Sequence, residues 1–129
     1  MACGYADRVA ATLSSQLVGR DRTVLLVRLP VMVVDEQVTA IREEARTRLP
    51  RVAGAGLILD FSSVELLNSI GITCLLQVEE DCRKSGGAMV LTGLSPAIDQ
   101  FLKQLKLNRR FVCLATIDDA VARFDTGTR

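Results

Sequence analysis

The chain has 129 residues, which is the usual size of a single domain. Its hydrophobic residues, 49% of the total, are enough to bury one continuous core. Its 16 Lys and Arg nearly balance its 15 Asp and Glu, and a net charge of +1 gives no sign of the strong positive field that nucleic-acid binding usually needs, so we do not expect DNA or RNA as a partner. Histidine is absent, which excludes Ser/His and Cys/His nucleophile pairs, imidazole bases and histidine metal sites. We therefore expect one domain over residues 1–129.

The apolar runs are far shorter than the roughly 20 residues needed to span a bilayer. The opening MACGYADRV has neither the basic region nor the apolar stretch of a secretory signal. The four cysteines form no CxxC pair, and three of them fall in core-like segments, which favours buried, reduced thiols; they are Cys3, Cys74, Cys82 and Cys113. These features predict a soluble cytoplasmic protein without a metal or a cofactor.

The first elements of the predicted fold are a hairpin, a helix and a buried strand. Residues 10–18 and 23–29 are strand-like and flank a Gly-containing turn, which predicts an N-terminal β-hairpin. Over residues 35–49, Val38, Ile41, Ala45 and Leu49 recur at helical spacing, and Pro50 ends the helix. Residues 57–61 are too short a run for a helix and are typical of a strand covered on both faces.

The second half predicts helices alternating with buried strands. One helix runs from about Ser69 to Lys84, and strands follow at 88–92 and 111–115. Ser95 and Pro96 begin a helix whose apolar stripe is Ile98, Phe101, Leu102 and Leu105. Thr116 and Asp119 resemble a capping box that opens the last helix. The order predicts an α/β domain: a mixed, largely parallel β-sheet with an N-terminal hairpin and about four α-helices.

Ser69 is the leading functional candidate. The run LILDFSSVELLNSIG leads from a buried strand through a polar turn to Ser69, where a helix begins. A phosphate there would add about −1.5 to −2 charges beside the free N–H groups of a helix N-terminus, which tolerates them. The alternative is that Ser69 is an ordinary N-cap, a role worth ~1 kcal/mol. Leu66, Leu67 and Ile70 could form an apolar docking patch beside it, although some of them must enter the core.

Three segments together carry a family resemblance: LILDFSSVELLNSIG, the pair Gly86-Gly87 before MVLTGLSP, and LNRRF before the last strand. In this order they resemble STAS domains, and among those the bacterial anti-sigma factor antagonists, over residues 23–124. The resemblance implies a STAS fold and a non-enzymatic module that acts by partner switching. Such a module binds an anti-sigma factor or related serine kinase, is released when phosphorylated, and is reset by a phosphatase.

The antagonists carry Asp-Ser-Ser-Gly or Asp-Ser-Thr-Gly in the turn before the second helix, and the first hydroxyl residue is the phosphoacceptor. The matching positions here are Asn68, Ser69, Ile70 and Gly71, so the resemblance implies that Ser69 is the phosphoacceptor and the only one in the motif. Asn68 keeps a hydrogen-bonding side chain without the charge. Lys106 stands where the family usually has a glycine. The implied partner-binding residues are Ser62, Ser63, Asn68, Ser69, Ile70 and Gly71.

Several alternatives stay open. Ser62 and Ser63 could simply form the turn. Asp60 and Glu65 could suggest acid/base chemistry, but solvated or capping carboxylates explain them better, because no metal-ligand set accompanies them. The protein could be a scaffold or adaptor subunit of a larger signalling or lipid-transport assembly, without a phospho-switch. A nucleotide-binding or hydrolysing protein is a further alternative. The absence of a glycine-rich phosphate-binding motif around Gly93 argues against it.

Overall fold

The computed structural model describes residues 14–20, 22–29, 31–33, 35–48 and 55–125. The strands are β1 (Ser14–Val18), β2 (Val24–Arg28), β3 (Met32–Val33), β4 (Gly56–Asp60), β5 (Leu66–Leu67), β6 (Ala88–Thr92) and β7 (Val112–Leu114). The helices are α1 (Asp35–Arg48), α2 (Ser69–Lys84), α3 (Pro96–Gln104) and α4 (Ile117–Asp125), with a 3-10 helix at Leu107–Arg109.

The main sheet has the order β1-β2-β4-β6-β7. β1 and β2 form the antiparallel hairpin, and β2, β4, β6 and β7 run parallel to one another. This arrangement confirms the predicted α/β fold. We call the side of the sheet at which the parallel strands begin the amino end, and the side at which they finish the carboxyl end.

Alternate residues of each strand face opposite layers of the core. Leu25, Leu57 and Leu91 belong to the larger cluster, which packs beneath α1, α2 and α3. Ile58 and Val90 face the other way, where Ala120 and Phe124 of α4 cover them. Because both faces of the central strands are covered, these strands read as continuous apolar runs.

Most predicted elements are found close to their predicted bounds. α2 and β6 have the predicted ends, and the hairpin is confirmed from Ser14 onward, since residues 10–13 lie outside the described part. Ile41 and Ala45 of α1 are buried as predicted, whereas Leu49 and Pro50 are not among the described residues. Ser95 caps α3 by accepting a hydrogen bond from Ile98 N, and Thr116 accepts one from Asp119 N at the start of α4.

Three features differ from the sequence prediction. Leu105 is 46% exposed, because α3 ends at Gln104 and the chain turns away before the stripe can continue. β7 is shorter than predicted, although Phe111 before it is buried. β3 and β5 form an additional two-stranded parallel sheet, in which Met32 pairs with Leu66. Each of these strands has two residues, too few to show the alternating hydrophobic pattern of a strand in the sequence.

Two cationic residues adopt a left-handed backbone. Lys106 has φ 60° and ψ 27° between α3 and the 3-10 helix, and Arg22 has φ 55° in the hairpin turn. A side chain with a Cβ is strained in this region, where glycine is not. Lys106 is the position where the resemblance implies a glycine, and its left-handed backbone is one that glycine adopts without strain.

Gly87 precedes β6 at a point of close backbone contact. A Cβ at this position would lie 2.2 Å from the carbonyl oxygen of Ala55, which accepts a hydrogen bond from Ala88 N. The Gly87 amide also donates to Cys82 O at the end of α2. A side chain would therefore separate α2 from the start of β4.

We expect Lys106→Gly to stabilise the domain by about 0.5–1 kcal/mol, because the left-handed penalty of an L-residue exceeds the extra chain entropy of glycine. Urea unfolding measures this difference. Lys103→Gly, inside α3, is the matched control and should lose about 1 kcal/mol. Equal losses in both variants would show that Lys106 is not strained.

Gly87→Ala should destabilise the domain by about 1–3 kcal/mol, because the added methyl group overlaps backbone atoms that cannot rotate away. Thermal unfolding followed by circular dichroism measures the loss. Gly86→Ala is a neighbouring comparison, in which the cost comes from the φ of 82° rather than from an atomic overlap. A Gly87→Ala protein as stable as the native chain would contradict the close packing.

Candidate functional site

The candidate site lies at the carboxyl end of the sheet, and Asp60 begins it by turning the chain out of β4. Asp60 is 5% exposed, and its Oδ1 accepts a hydrogen bond from Ser62 N at 3.0 Å. Oδ2 pairs with Arg28 Nη1 at 3.3 Å. Asp60 is therefore a buried capping carboxylate with an ion-pair partner, as its capping interpretation predicted, and Glu65 is exposed.

Gly93 allows β6 to leave the sheet beside this turn. Its φ is +69°, and a Cβ would lie 3.1 Å from both Asp60 Oδ1 and Ser62 N. Gly93 is thus a turn glycine that lets two chain segments approach each other, and the structure explains it without a nucleotide.

The loop from β4 to α2 is held along its length. Val64 N donates to Phe61 O, which closes a turn with Ser62 and Ser63 exposed at its tip. Glu65 N and Leu66 N both donate to Val31 O, at 2.7 and 3.1 Å. The loop is therefore fixed against the segment that follows β2 before it reaches α2.

Asn68, rather than Ser69, caps α2. Asn68 Oδ1 accepts a hydrogen bond from Gly71 N at 2.9 Å, and Asn68 has the extended backbone of an N-cap residue. The suggestion that Ser69 is an ordinary N-cap is therefore wrong, because Ser69 is already the first residue of the helix. The side-chain amide of Asn68 therefore supplies the cap at the position where the resemblance implies an Asp.

The Ser69 side chain is exposed, and its hydroxyl makes no hydrogen bond within the described residues. The hydrogen bond from Thr73 Oγ1, at 3.0 Å, goes to the backbone carbonyl of Ser69 and does not involve the Ser69 Oγ. The amides of Ser69 and Ile70 are first-turn donors without intrahelical acceptors. The site thus presents a reachable hydroxyl beside free N–H groups.

Large apolar side chains surround Ser69 at the surface. Val31, Leu66 and Ile70 are 48%, 49% and 50% exposed. We call these three residues with Ser69 the Ser69 face. Leu67, by contrast, is buried, so it is not part of a docking patch.

Gly71 is also buried, and it contributes its amide to the Asn68 cap rather than a side chain to the surface. Val31 is the one residue of the Ser69 face that sequence reasoning missed. It lies far from Ser69 in the chain, and the hydrogen bonds between β3 and the loop bring it there.

The Ser69 face continues into an uncharged surface. No residue from Leu66 to Val78 carries a charge, and Thr73 and Gln77 are the exposed polar residues further along α2. The charged residues of α2 lie in its second half, where Asp81 pairs with Arg42 of α1 and Glu79 with Arg110. The first half of α2 is therefore suited to an apolar contact.

The cysteines and acidic residues form no second site within the described part of the chain. Burial raises the pKa of the Cys74 thiol to about 11 and that of Cys82 to about 12, so both stay protonated at neutral pH. Neither forms a disulfide, and Cys3 lies outside the described residues. No described group of three or more Cys, Asp or Glu could hold a metal ion, and no described helix is long and apolar enough to cross a membrane.

The chain is similar to solved structures over almost its whole length. An anti-sigma-factor antagonist (STAS) domain protein from Planctomyces limnophilus superposes with a TM-score of 0.74 at 15% identity, covering 87% of this chain and 96% of that one. The Bacillus cell fate determinant SpoIIAA in its phosphorylated form gives 0.65 at 19% identity, covering 86% and 97%. A chain of the stressosome, a signal integration and transduction hub, gives 0.65 at 23%, covering 87% and 97%.

These likenesses concern the fold, because all three identities are below 25%. The model of the STAS domain family matches residues 14–123, which include all the strands and helices of the structure except the last two residues of α4. The match confirms the resemblance based on the motifs around Ser69, and the chain belongs to the STAS domain family.

Proposed function

We propose that this protein is an anti-sigma factor antagonist that acts by partner switching. In its unmodified form it binds an anti-sigma factor or a related serine kinase through the Ser69 face. Phosphorylation of Ser69 by that kinase releases it, and a phosphatase restores the binding form. The protein itself is a cytoplasmic binding module, and the partner supplies the chemistry.

The exposed, uncommitted hydroxyl of Ser69 within an apolar rim is the observation that carries this proposal. A kinase can reach the hydroxyl, because no hydrogen bond within the described residues holds it. The rim of Val31, Leu66 and Ile70 provides the apolar contact that the centre of a protein interface requires. The structural relatives include an antagonist-domain protein and a phosphorylated form of SpoIIAA, which supports the same class of function.

The charge of a phosphate explains release without unfolding. On the free protein it lies in water beside the first-turn amides of α2, where a negative charge is stabilising by about 0.3–1 kcal/mol. In a complex it would be buried against an apolar rim with no cation among residues 66–78 to pair with it. An unpaired charge in an interface costs several kcal/mol, which corresponds to about a hundredfold or more in affinity.

A scaffold subunit is the alternative function, and the likeness to a stressosome chain favours it. In that case Ser69 would be only a contact residue. The two functions differ in whether Ser69 is modified, and the first test below separates them.

Phosphate should appear on Ser69 when the protein is incubated with ATP and an extract of its native cells. Mass spectrometry of the peptides covering residues 57–84 locates it among Ser62, Ser63, Ser69 and Thr73. Ser69→Ala should abolish the modification, and Ser62→Ala should leave it unchanged. Phosphate that stays in the Ser69→Ala protein, or an unmodified Ser69 under growth and stress conditions, would favour the scaffold.

Ser69→Asp should weaken capture of the partner kinase about a hundredfold, because it buries a charge in the apolar face. Ser69→Ala should keep capture, and it should also keep stability because Asn68 caps the helix. Affinity is measured by titrating the partner captured from native-cell extract onto each immobilised variant. Gln77→Glu is the charge-matched control two turns along α2 and should bind normally, whereas equal losses in Gln77→Glu and Ser69→Asp would indicate a general charge effect.

Removing the apolar rim should weaken the same interaction without touching the acceptor. Ile70→Ser and Leu66→Ser each remove a half-exposed side chain and should reduce affinity about tenfold or more if it is an anchor of the interface. Both variants should unfold close to the native denaturant midpoint, since these side chains are outside the buried core. Leu105→Ser removes an equally exposed leucine elsewhere and is the control. Native affinity in both rim variants would contradict the proposed contact surface.

A further inference from the structure

The positive charges of this nearly neutral chain are distributed unevenly. Seven cations of the described part are neutralised in ion pairs. Five exposed ones form no ion pair within the described residues: Arg20, Arg22, Lys84, Lys106 and Arg109. We call these five residues the basic end.

The topology brings the basic end together at the amino end of the sheet. Arg20 and Arg22 lie in the turn that enters β2, Lys84 lies in the last turn of α2 before β6, and Lys106 and Arg109 precede β7. Val24, Gly56 and Ala88, the first residues of β2, β4 and β6, lie side by side in register, and β7 begins beside Val90. Since neighbouring strands are about 4.8 Å apart, the three spacings from β2 to β7 spread the cations over roughly 14 Å of the amino end.

Backbone strain indicates that some of these cations are there for their charge. Arg22 and Lys106 are the non-glycine residues with positive φ in the described chain, at 55° and 60°. Both are exposed cations of the basic end, in turns where glycine or asparagine would be less strained. An L-residue kept in this conformation without a packing role points to a function of its side chain.

Helix dipoles and local acids do not account for the cluster. A cation at a helix C-terminus is favourable, but this explains only Lys84, since the other four lie in turns or the 3-10 helix. Among the acids nearby, Glu79 binds both Arg83 and Arg110, and Glu80 lies 3.9 Å from Arg110. Asp125 accepts a hydrogen bond from the backbone amide of Arg20, and Asp21 stands between Arg20 and Arg22 in the sequence, so these two carboxylates offset at most two of the five cations. The basic end therefore keeps a net positive charge for an external partner.

We infer that the basic end is a docking surface for an anionic phospholipid membrane. The cations are spread across the amino end of the sheet, from β2 to β7. This spacing matches an extended anionic surface better than a single carboxylate. Leu105, 46% exposed, lies next to Lys106 and offers a side chain that can enter the interface between headgroups and acyl chains. This inference is independent of the proposed function, because the Ser69 face lies at the carboxyl end and stays open when the amino end is docked.

Co-sedimentation of the full chain with phospholipid vesicles tests the inference. The native protein should bind vesicles of equal parts phosphatidylglycerol and phosphatidylcholine, and should not bind pure phosphatidylcholine. Raising the salt from about 0.05 M to about 0.5 M should release it, since exposed charges are then screened within a few ångströms. The double variant Arg22→Gly/Lys106→Gly should bind roughly thirtyfold more weakly, at about fivefold for each cation.

The design separates lost binding from lost folding. Glycine relieves backbone strain at both positions, so the double variant should be at least as stable as the native chain in urea. Arg42→Gln removes one charge from the middle of α1 and should bind as the native protein does. Failure of the native chain to bind the anionic vesicles, or equal loss in Arg42→Gln, would overturn the inference.

Leu105→Gln distinguishes a membrane from another polyanion. For a lipid surface, this variant should lose several-fold in vesicle binding and nothing in binding to duplex DNA or polyglutamate. If either polymer competes with the vesicles at equal charge concentration, and Leu105→Gln binds the vesicles normally, the surface recognises polyanions in general and the lipid assignment is wrong.

Discussion

The parallel register of β2, β4 and β6 is the constraint on which the rest of the molecule depends. It aligns Leu25, Leu57 and Met89 on the face beneath three helices, and Arg28, Asp60 and Thr92 on the other face at the carboxyl end. A slip of one residue would turn the buried leucines towards α4 and move Asp60 beneath α1–α3. Asp60 would then lose Arg28 and could not turn the chain towards Ser69. The ion pair and the apolar core therefore select the same register.

Because the connecting helices all return to the amino end, the same register also gives the domain two chemically different ends. α2, α3 and α4 begin at the carboxyl end, which holds the uncharged Ser69 face and the acids Glu65, Asp99, Asp118 and Asp119. The turns entering the strands hold the basic end. α2 spans the two with 16 residues, about 24 Å. At physiological ionic strength the Debye length is about 8 Å, so a charge added at Ser69 has little influence on the basic end.

The sequence predicted the long elements well because their signals are local. The apolar spacing and caps of α2 and α3 depend on neighbouring residues, and the continuous apolar runs of β4 and β6 reflect burial on both faces. What it did not reveal depends on contacts between distant segments. Val31 O accepts a backbone hydrogen bond from Leu66 N, and a backbone contact of this kind cannot be predicted from the identity of either residue. Leu105 fitted the helical stripe by spacing, yet the left-handed turn at Lys106 ends the helix before it.

The prediction about the site was correct for Ser69's place at the start of α2 and wrong about which residue caps the helix. Ser and Asn are both favoured N-cap residues, so residue preference could not decide between adjacent positions. The three-dimensional path decides: β5 ends at Leu67, so Asn68 is the first residue free to turn its side chain back to Gly71 N. Ser69 is consequently left with an exposed side chain, which is the basis of the proposed switch.

Asn68 also affects what a phosphate on Ser69 would do to the protein itself. The family's Asp would place a carboxylate one residue from the phosphate, and two unit charges 4 Å apart repel by about 1 kcal/mol in water and about 4 kcal/mol at a partly buried site. The amide of Asn68 avoids this repulsion and still binds Gly71 N through Oδ1. With Asn68 a domain phosphorylated at Ser69 would keep its cap without the added repulsion. Under the proposed partner switch, the effect of the phosphate would then fall on the interface with the partner.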